Sequence, residues 1–310
     1  MNSVTKEIFA HHELRKTKAQ RKAFRDYAHS YARSKGYEVK VEKGSHGAHN
    51  LIVGNPKTAD VVYTAHYDTC AVMPIPNFIT PKCLPIYILY QFVLTFLVYI
   101  IPVSVMIGAR HVLAATDSDT LFLLMLSGGY LLLVLFTVLL IAGPANKHTA
   151  NDNTSGVTLL LELMDDMPTE LRSKVAYIFF DFEERGLIGS KSYAAKHKDI
   201  SKKMLVVNFD CVSDGKNILI APRRHASGVS AKLSEAFKSN ESFTVDIATK
   251  GVFYPSDQYS FPRGVGVAAL KKTKGGLLYM NRIHTPRDTV YDEENIEFLK
   301  NGAIEFARII

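Results

Sequence analysis

Five short segments of the 310-residue chain carry groups able to hold a cation or move a proton: His66-Tyr67-Asp68, Asn151-Asp152-Asn153, Glu183-Glu184, Asp210, and His284 with Asp288. Singly, each has an ordinary structural meaning. HxD is common, Asp-Asn before a helix is a capping pattern, and a Glu-Glu pair is usually a solvated loop. Together they offer imidazole nitrogens and carboxylate oxygens, a donor set suited to zinc. Two imidazoles, one for each metal, and a shared carboxylate would make a dinuclear centre with ions roughly 3.5–4 Å apart, a device for activating water.

The elements that must position these groups can be read from the apolar runs around them. Segments 37–43, 49–54, 60–66, 174–182, 204–210, 217–222 and 266–270 read as strands, and 19–35, 155–167, 187–198, 228–239 and 293–309 as helices. Several strands are apolar on both faces, which predicts an α/β fold with its sheet sandwiched between helix layers. The candidate groups recur at C-terminal strand ends or in the loops that follow, where open α/β sheets place ligand sites. Glu183 and Glu184 pose a geometric problem, because neighbours on a strand point to opposite faces. They can serve one target only if the strand ends there and the chain bends.

Two runs break the alternation. No charged residue lies between Lys82 and Arg110, nor between Asp119 and Lys147. Each run exceeds the roughly 20 residues that cross a bilayer core; Pro102 and Gly128-Gly129 are tolerated in such spans. The reading is a two-helix hairpin, spans 84–109 and 120–143, joined by the loop 110–119. It is inserted (83–146) into one discontinuous catalytic domain, 1–82 and 147–310. The competing reading is a buried hairpin in a soluble protein. Lysines and arginines beyond Lys82 and Lys147 favour a cell-membrane protein with a cytoplasmic main body. Residues 1–10 are polar and show no secretory pattern. The net charge of +7 would also suit nucleic acid, but its excess gathers near the N-terminus on the outer face of an amphipathic helix, with Phe24, Tyr27, Ala28 and Tyr31 inward and Gly36 as the stop. Anionic lipid is the preferred partner, not nucleic acid. Cys70, Cys83 and Cys211 show no paired spacing, which fits a reducing compartment.

AHYDT, NDNTSG, FDFEERGLIGS, NFDCVSDG, SDQYSF and IHTPRDT, in that order, resemble the dizinc aminopeptidase family of secreted bacterial leucyl aminopeptidases, glutamate carboxypeptidases and glutaminyl cyclases. The resemblance covers nearly all of the chain outside the hairpin. It implies a zinc exopeptidase-like fold: a single mixed, mostly parallel sheet between helices. It also implies two zinc ions, one on His66 and Asp210, one on Glu184 and His284, with Asp152 between them. By the same resemblance, Asp68 orients the His66 imidazole, and Glu183 is the general base toward a metal-bridging water. The implied activity is that of an aminopeptidase acting on peptides or aminoacyl amides. Gln258 stands where many relatives carry His, while Asp257 and Phe261 fit. Ile283 stands where some relatives have a tyrosine that stabilises the oxyanion, so Tyr254 is a candidate for that donor. Arg223 and Arg224 read as solvated, with a substrate carboxylate as the other reading.

Three other functions stay in view. A glutaminyl cyclase-like acyltransferase would hold one zinc, and animal-type cyclases line their pocket with tryptophan, of which this chain has none. An amidohydrolase would act on acylated amino acids. A membrane scaffold without catalysis would not need the complete ligand set. The eight residues 144–151 reach at most about 26–29 Å, so Asp152 is tied close to the bilayer surface. Oligomeric state is not legible in the sequence.

Overall fold

The computed structural model of the chain describes residues 2–73 and 75–310. Among these, nine strands form one sheet: β1 (Val39–Lys43), β2 (His49–Val53), β3 (Val61–His66), β4 (Val175–Phe180), β5 (Val206–Phe209), β6 (Asn217–Pro222), β7 (Thr244–Ile247), β8 (Gly264–Lys272) and β9 (Leu278–Tyr279). Their order is β1-β2-β4-β3-β5-β8-β6-β7, with β9 on β8. The central strands β4, β3, β5 and β8 are parallel to one another, whereas β1, β2, β6 and β9 each join through an antiparallel pair. The helices are α1 (Ser3–Glu7), α2 (Lys18–Ser34), α3 (Leu84–Thr116), α4 (Asp119–Ala142), α5 (Ser155–Asp166), α6 (Ile188–Lys196), α7 (Lys198–Ser201), α8 (Ser230–Ala236) and α9 (Glu293–Ile309).

The doubly apolar strands do face two cores. Val175, Tyr177 and Phe179 of β4 join the large cluster built with α2, α5, α8 and α9. Their alternates Ala176, Ile178 and Phe180 join a smaller one with Tyr193 of α6 and Phe261. This is the mixed, mostly parallel sheet between helices that the sequence predicts. Strand β7 escapes the sequence reading because it is a four-residue edge strand with only partly buried side chains.

Two expectations for the N-terminus need correction. Residues 1–10 are not simply polar, since Val4 and Ile8 are buried in the main core. Nor does the basic segment face outward throughout. Helix α2 starts on a Thr17/Gln20 capping box and buries Phe24, Ala28 and Ala32, but Arg15 and Arg21 are also buried. Arg21 Nε lies 2.9 Å from Asp181 Oδ1, and Arg15 donates to the carbonyls of His12, Glu13 and Tyr67 and to the Thr154 hydroxyl. Both cations are spent inside the fold.

Helices α3 and α4 behave differently from every other helix. They pack on one another and leave most of their apolar surface uncovered: Phe92 is 70% exposed and Leu131 68%. A core helix would be buried, so the buried-hairpin reading does not hold. At 1.5 Å per residue, α3 is about 50 Å long and α4 about 36 Å, and both are long and apolar enough to cross a membrane. The expected ten-residue connection is shorter than predicted, because α3 runs on to Thr116. Asp117 turns the chain in a left-handed conformation and the Ser118 hydroxyl caps α4 at the Leu121 N–H. Gly129 is where the helices meet, since a Cβ there would strike Met106 and the Pro102 carbonyl.

Candidate metal centre

β3 ends at His66, and β4 and β5 end just before the Glu183-Glu184 pair and Asp210, so three parallel strands deliver groups to one edge of the sheet. The chain runs from β3 to β4 on one side and then to β5 on the other, the kind of topological switch that opens a crevice. His66 Nε2 lies 3.3 Å from Asp152 Oδ1 and 3.5 Å from Asp210 Oδ1. His284 Nε2 lies 3.0 Å from Asp152 Oδ2 and 3.3 Å from Glu184 Oε2. The two oxygens of Asp152 are thus divided between two imidazoles. All five residues expected to ligate metal meet here, and Glu183 joins them within 4.8 Å of donor atoms of His66 and Glu184.

Local chemistry explains how the loops hold this shape. Asp288 accepts the backbone N–H groups of Asn151 and Asp152, at 2.8 and 3.0 Å. Asn151 Oδ1 accepts from Ser213 and Asp214, and Asn153 Oδ1 from Gly156 and Cys211. A Cβ on Gly156 would collide with Asn153 and the Phe209 carbonyl, so NDNTSG is a scaffold as much as a source of Asp152. After β4 the chain bends at Phe182, whose φ is 59°. The bend resolves the geometric problem of adjacent glutamates.

Two residues act differently from expectation. The Asp68 carboxylate is 3.7 Å from His66 Nδ1, beyond a hydrogen bond; the contact to that nitrogen is the Asp68 backbone carbonyl at 3.1 Å. The carboxylate instead accepts the N–H groups of Glu183 and Glu184, at 2.9 and 3.2 Å. Tyr254 lines the cavity, but its hydroxyl donates to the Asp210 carbonyl at 3.0 Å, so its proton is committed to bracing the Asp210 segment. Gln258 likewise braces that wall, between Tyr254 and Asn208. Arg223 is held by the carbonyls of Tyr259 and Phe261, so it does not wait for a substrate.

The electrostatics are those of a site built for added positive charge. Burial lowers the pKa of His284, but the Glu184 and Asp152 carboxylates outweigh it and lift it to about 9. The same contest, with Asp152, Asp210 and Asp68, puts His66 well above its usual range. Burial also raises several of the acids, Glu184 to about 8, Glu183 well above normal and Asp257 to about 7, whereas for Asp152 burial is outweighed by His284 and His66, which hold it below the usual carboxylate range. Glu184 Oε1 and both Asp257 oxygens are buried without hydrogen-bond partners. Carboxylates outnumber imidazoles, and an orphaned acid oxygen is left over. These residues fit divalent cations.

The cavity at the centre has a volume of about 130 Å³. Its outer wall is unanticipated by the sequence, because it comes from the stems of the α3–α4 hairpin. Asn77 and Ile79 line it together with Met280 and Ile283, Ile79 pairing with Met280 in an antiparallel bridge, and Asn77 accepts from Gln91 of α3 at 2.9 Å. The stems are zipped by Val72 N–H to the Pro144 carbonyl and Asn146 N–H to the Cys70 carbonyl. No periodicity could have revealed this irregular wall.

Fold and centre together define a protein with the architecture of zinc-dependent exopeptidases. The sequence matches the model of peptidase family M28 over residues 136–306, and the chain belongs to that family. The match takes in Asp152, Glu183, Glu184, Asp210 and His284, while His66 and Asp68 lie ahead of the hairpin. No curated protein matches the chain. Similar solved structures include a glutaminyl cyclase of Porphyromonas gingivalis, 15% identical, with a TM-score of 0.61 and covering 98% of this chain and 95% of that one. A Zn-dependent exopeptidase of Parabacteroides distasonis is 16% identical, with a TM-score of 0.59 and coverage of 99% and 96%. The LapA aminopeptidase of Legionella pneumophila is 14% identical, with a TM-score of 0.57 and coverage of 98% and 69%.

Proposed function

We propose that this M28 peptidase is a membrane-anchored aminopeptidase that removes N-terminal residues at a two-zinc centre. Its catalytic domain comprises 1–82 and 147–310, and the hairpin 83–146 anchors it in the cell membrane from the cytoplasmic side. The observation that carries the reading is the division of the Asp152 carboxylate between two imidazoles, each with a further acid of its own. His66 and Asp210 would hold one ion, Glu184 and His284 the other, with Asp152 between. Zinc, when bound, supplies Lewis acidity toward the scissile carbonyl and acidifies the attacking water.

The remaining work belongs to the chain. Glu183, kept in place by the Asp68 clamp on its N–H, takes one proton from the attacking water and returns it to the leaving nitrogen. Water's oxygen is added to the carbonyl carbon as the C–N bond breaks, giving an amine and a carboxylic acid, which loses its remaining proton to solvent. The cavity at the centre is small, about 130 Å³. Because the hairpin stems form its wall, the substrates favoured are peptides or aminoacyl amides presented at the bilayer surface.

Glu183→Gln in the detergent-solubilised protein should lose at least about 10²-fold in turnover of aminoacyl amides while keeping its metal. Activity above about a tenth of wild type would remove Glu183 as the base. Similarity to the Porphyromonas gingivalis cyclase motivates a second reading, glutaminyl cyclisation; bound zinc separates them, two ions per chain supporting hydrolysis and one supporting cyclisation.

A further inference from the structure

The proposed centre includes a sulfur that the hydrolytic reading leaves without a role. Cys70 Sγ lies within 4.8 Å of ligand atoms of both Glu184 and His284, which themselves form one side of the centre. Cys70 is buried and not in a disulfide. Its position is fixed on both flanks: its carbonyl accepts the Asn146 N–H, and three residues on, the Met73 N–H donates to the His284 carbonyl. The backbone that carries the thiol is therefore tied to the loop that carries the imidazole. A second observation points to a ligand here. Glu184 Oε1 is buried without any partner while Oε2 faces His284, so the acid beside Cys70 has unused donor capacity.

Resting on the two-zinc reading above, we propose that Cys70 is a third kind of donor to the ion held by Glu184 and His284. With Asp152, that ion would have nitrogen, oxygen and sulfur ligands, while the ion on His66 and Asp210 would have nitrogen and oxygen only. Ligation replaces the S–H bond by a sulfur–metal bond, and the proton leaves to solvent. The consequence is inequality between the two positions. A thiolate favours zinc over harder cations such as magnesium or manganese, so the Cys70 position should be the tighter and more zinc-selective of the two. Cys211, unlike Cys70, lines the cavity, but its Sγ donates to Asp210 at 3.2 Å and does not enter any of the donor clusters.

The test is cobalt substitution of the full-length protein in detergent. Wild type should bind two cobalt ions and show a sulfur-to-cobalt charge-transfer band in the near ultraviolet. Cys70→Ala and the nearly isosteric Cys70→Ser should lose the band and bind one of the two ions at least about tenfold more weakly, whereas Cys211→Ala should retain both features. Two bound ions without the band, or a band that disappears in Cys211→Ala and persists in Cys70→Ser, would overturn the proposal and leave the hydrolytic reading standing. Failure of the wild type to bind cobalt or zinc at all would overturn both.

Discussion

Asp68 offers the sharpest test of how the centre is held. Its carboxylate bridges the N–H groups of Glu183 and Glu184, one oxygen to each. Asp68→Asn keeps one acceptor and turns an NH2 toward the other N–H, so one charge-assisted hydrogen bond becomes neutral and the other becomes a donor facing a donor. Hydrogen bonds to charged groups contribute about 1.5–3 kcal/mol each, and an orphaned buried donor costs roughly 1–3 kcal/mol, so the variant should lose about 2–4 kcal/mol of stability. The clamp sets both Glu183, the proposed base, and Glu184, a proposed ligand, and a displacement of about 1 Å in such a group can lower turnover on the order of 10²-fold. The expected result is therefore a large fall in kcat for an aminoacyl amide, little change in KM, and a lower midpoint in denaturant. Metal content is the control, since a carboxylate that served the His66 imidazole would act first on occupancy of the His66/Asp210 position. An Asn variant that unfolds within about 0.5 kcal/mol of wild type, the range of an ordinary surface change, and keeps its kcat would refute the clamp.

Two further expectations concern the hairpin and pH. Replacing residues 82–147 with a short linker should lower activity on membrane-borne substrates more than on soluble ones, because the cavity is no longer held at the bilayer surface, whereas the loss of the Gln91 contact to Asn77 bears on both classes alike. An unchanged ratio between the two substrate classes would reduce the hairpin to an anchor. Chelator-treated protein should become less stable as pH rises. In the fold His284 titrates at about 9 against 6.5 ordinarily; a raised pKa contributes stability that is complete below the unfolded value and lost on passing the folded one. Glu184, at about 8 against 4.5, acts in the same direction, because the folded state keeps a proton that the unfolded chain has released. The His284 shift alone corresponds to roughly 3 kcal/mol at about 1.36 kcal/mol per unit. Melting temperatures measured from below pH 6.5 to above 9 should fall in the metal-free protein and stay level in the zinc-loaded one; parallel curves would contradict this.

Residue pattern alone was enough for most of the alternation of strands and helices, because strands such as Val175–Phe180 are continuous apolar runs and the longer helices carry an amphipathic period. It also determined the two long apolar helices and the donor types, since these depend only on local pattern and residue chemistry. Other features were decided by packing between distant segments. Asp68 reads as an imidazole partner from its spacing to His66, yet the bend at Phe182 brings the backbone of Glu183 and Glu184 to its carboxylate instead. Tyr254 reads as a free donor until the Asp210 carbonyl is seen to occupy it. Arg15 and Arg21 look like surface charge because helical periodicity describes one helix alone, and cannot show that carbonyls, a hydroxyl and Asp181 from other elements will surround them. The nearness of Cys70 to Glu184 and His284, and the cavity wall made by the hairpin stems, belong to the same class: a hydrogen bond or a shared cation between residues far apart in the chain leaves no period to read, and only the closed fold brings its partners within reach.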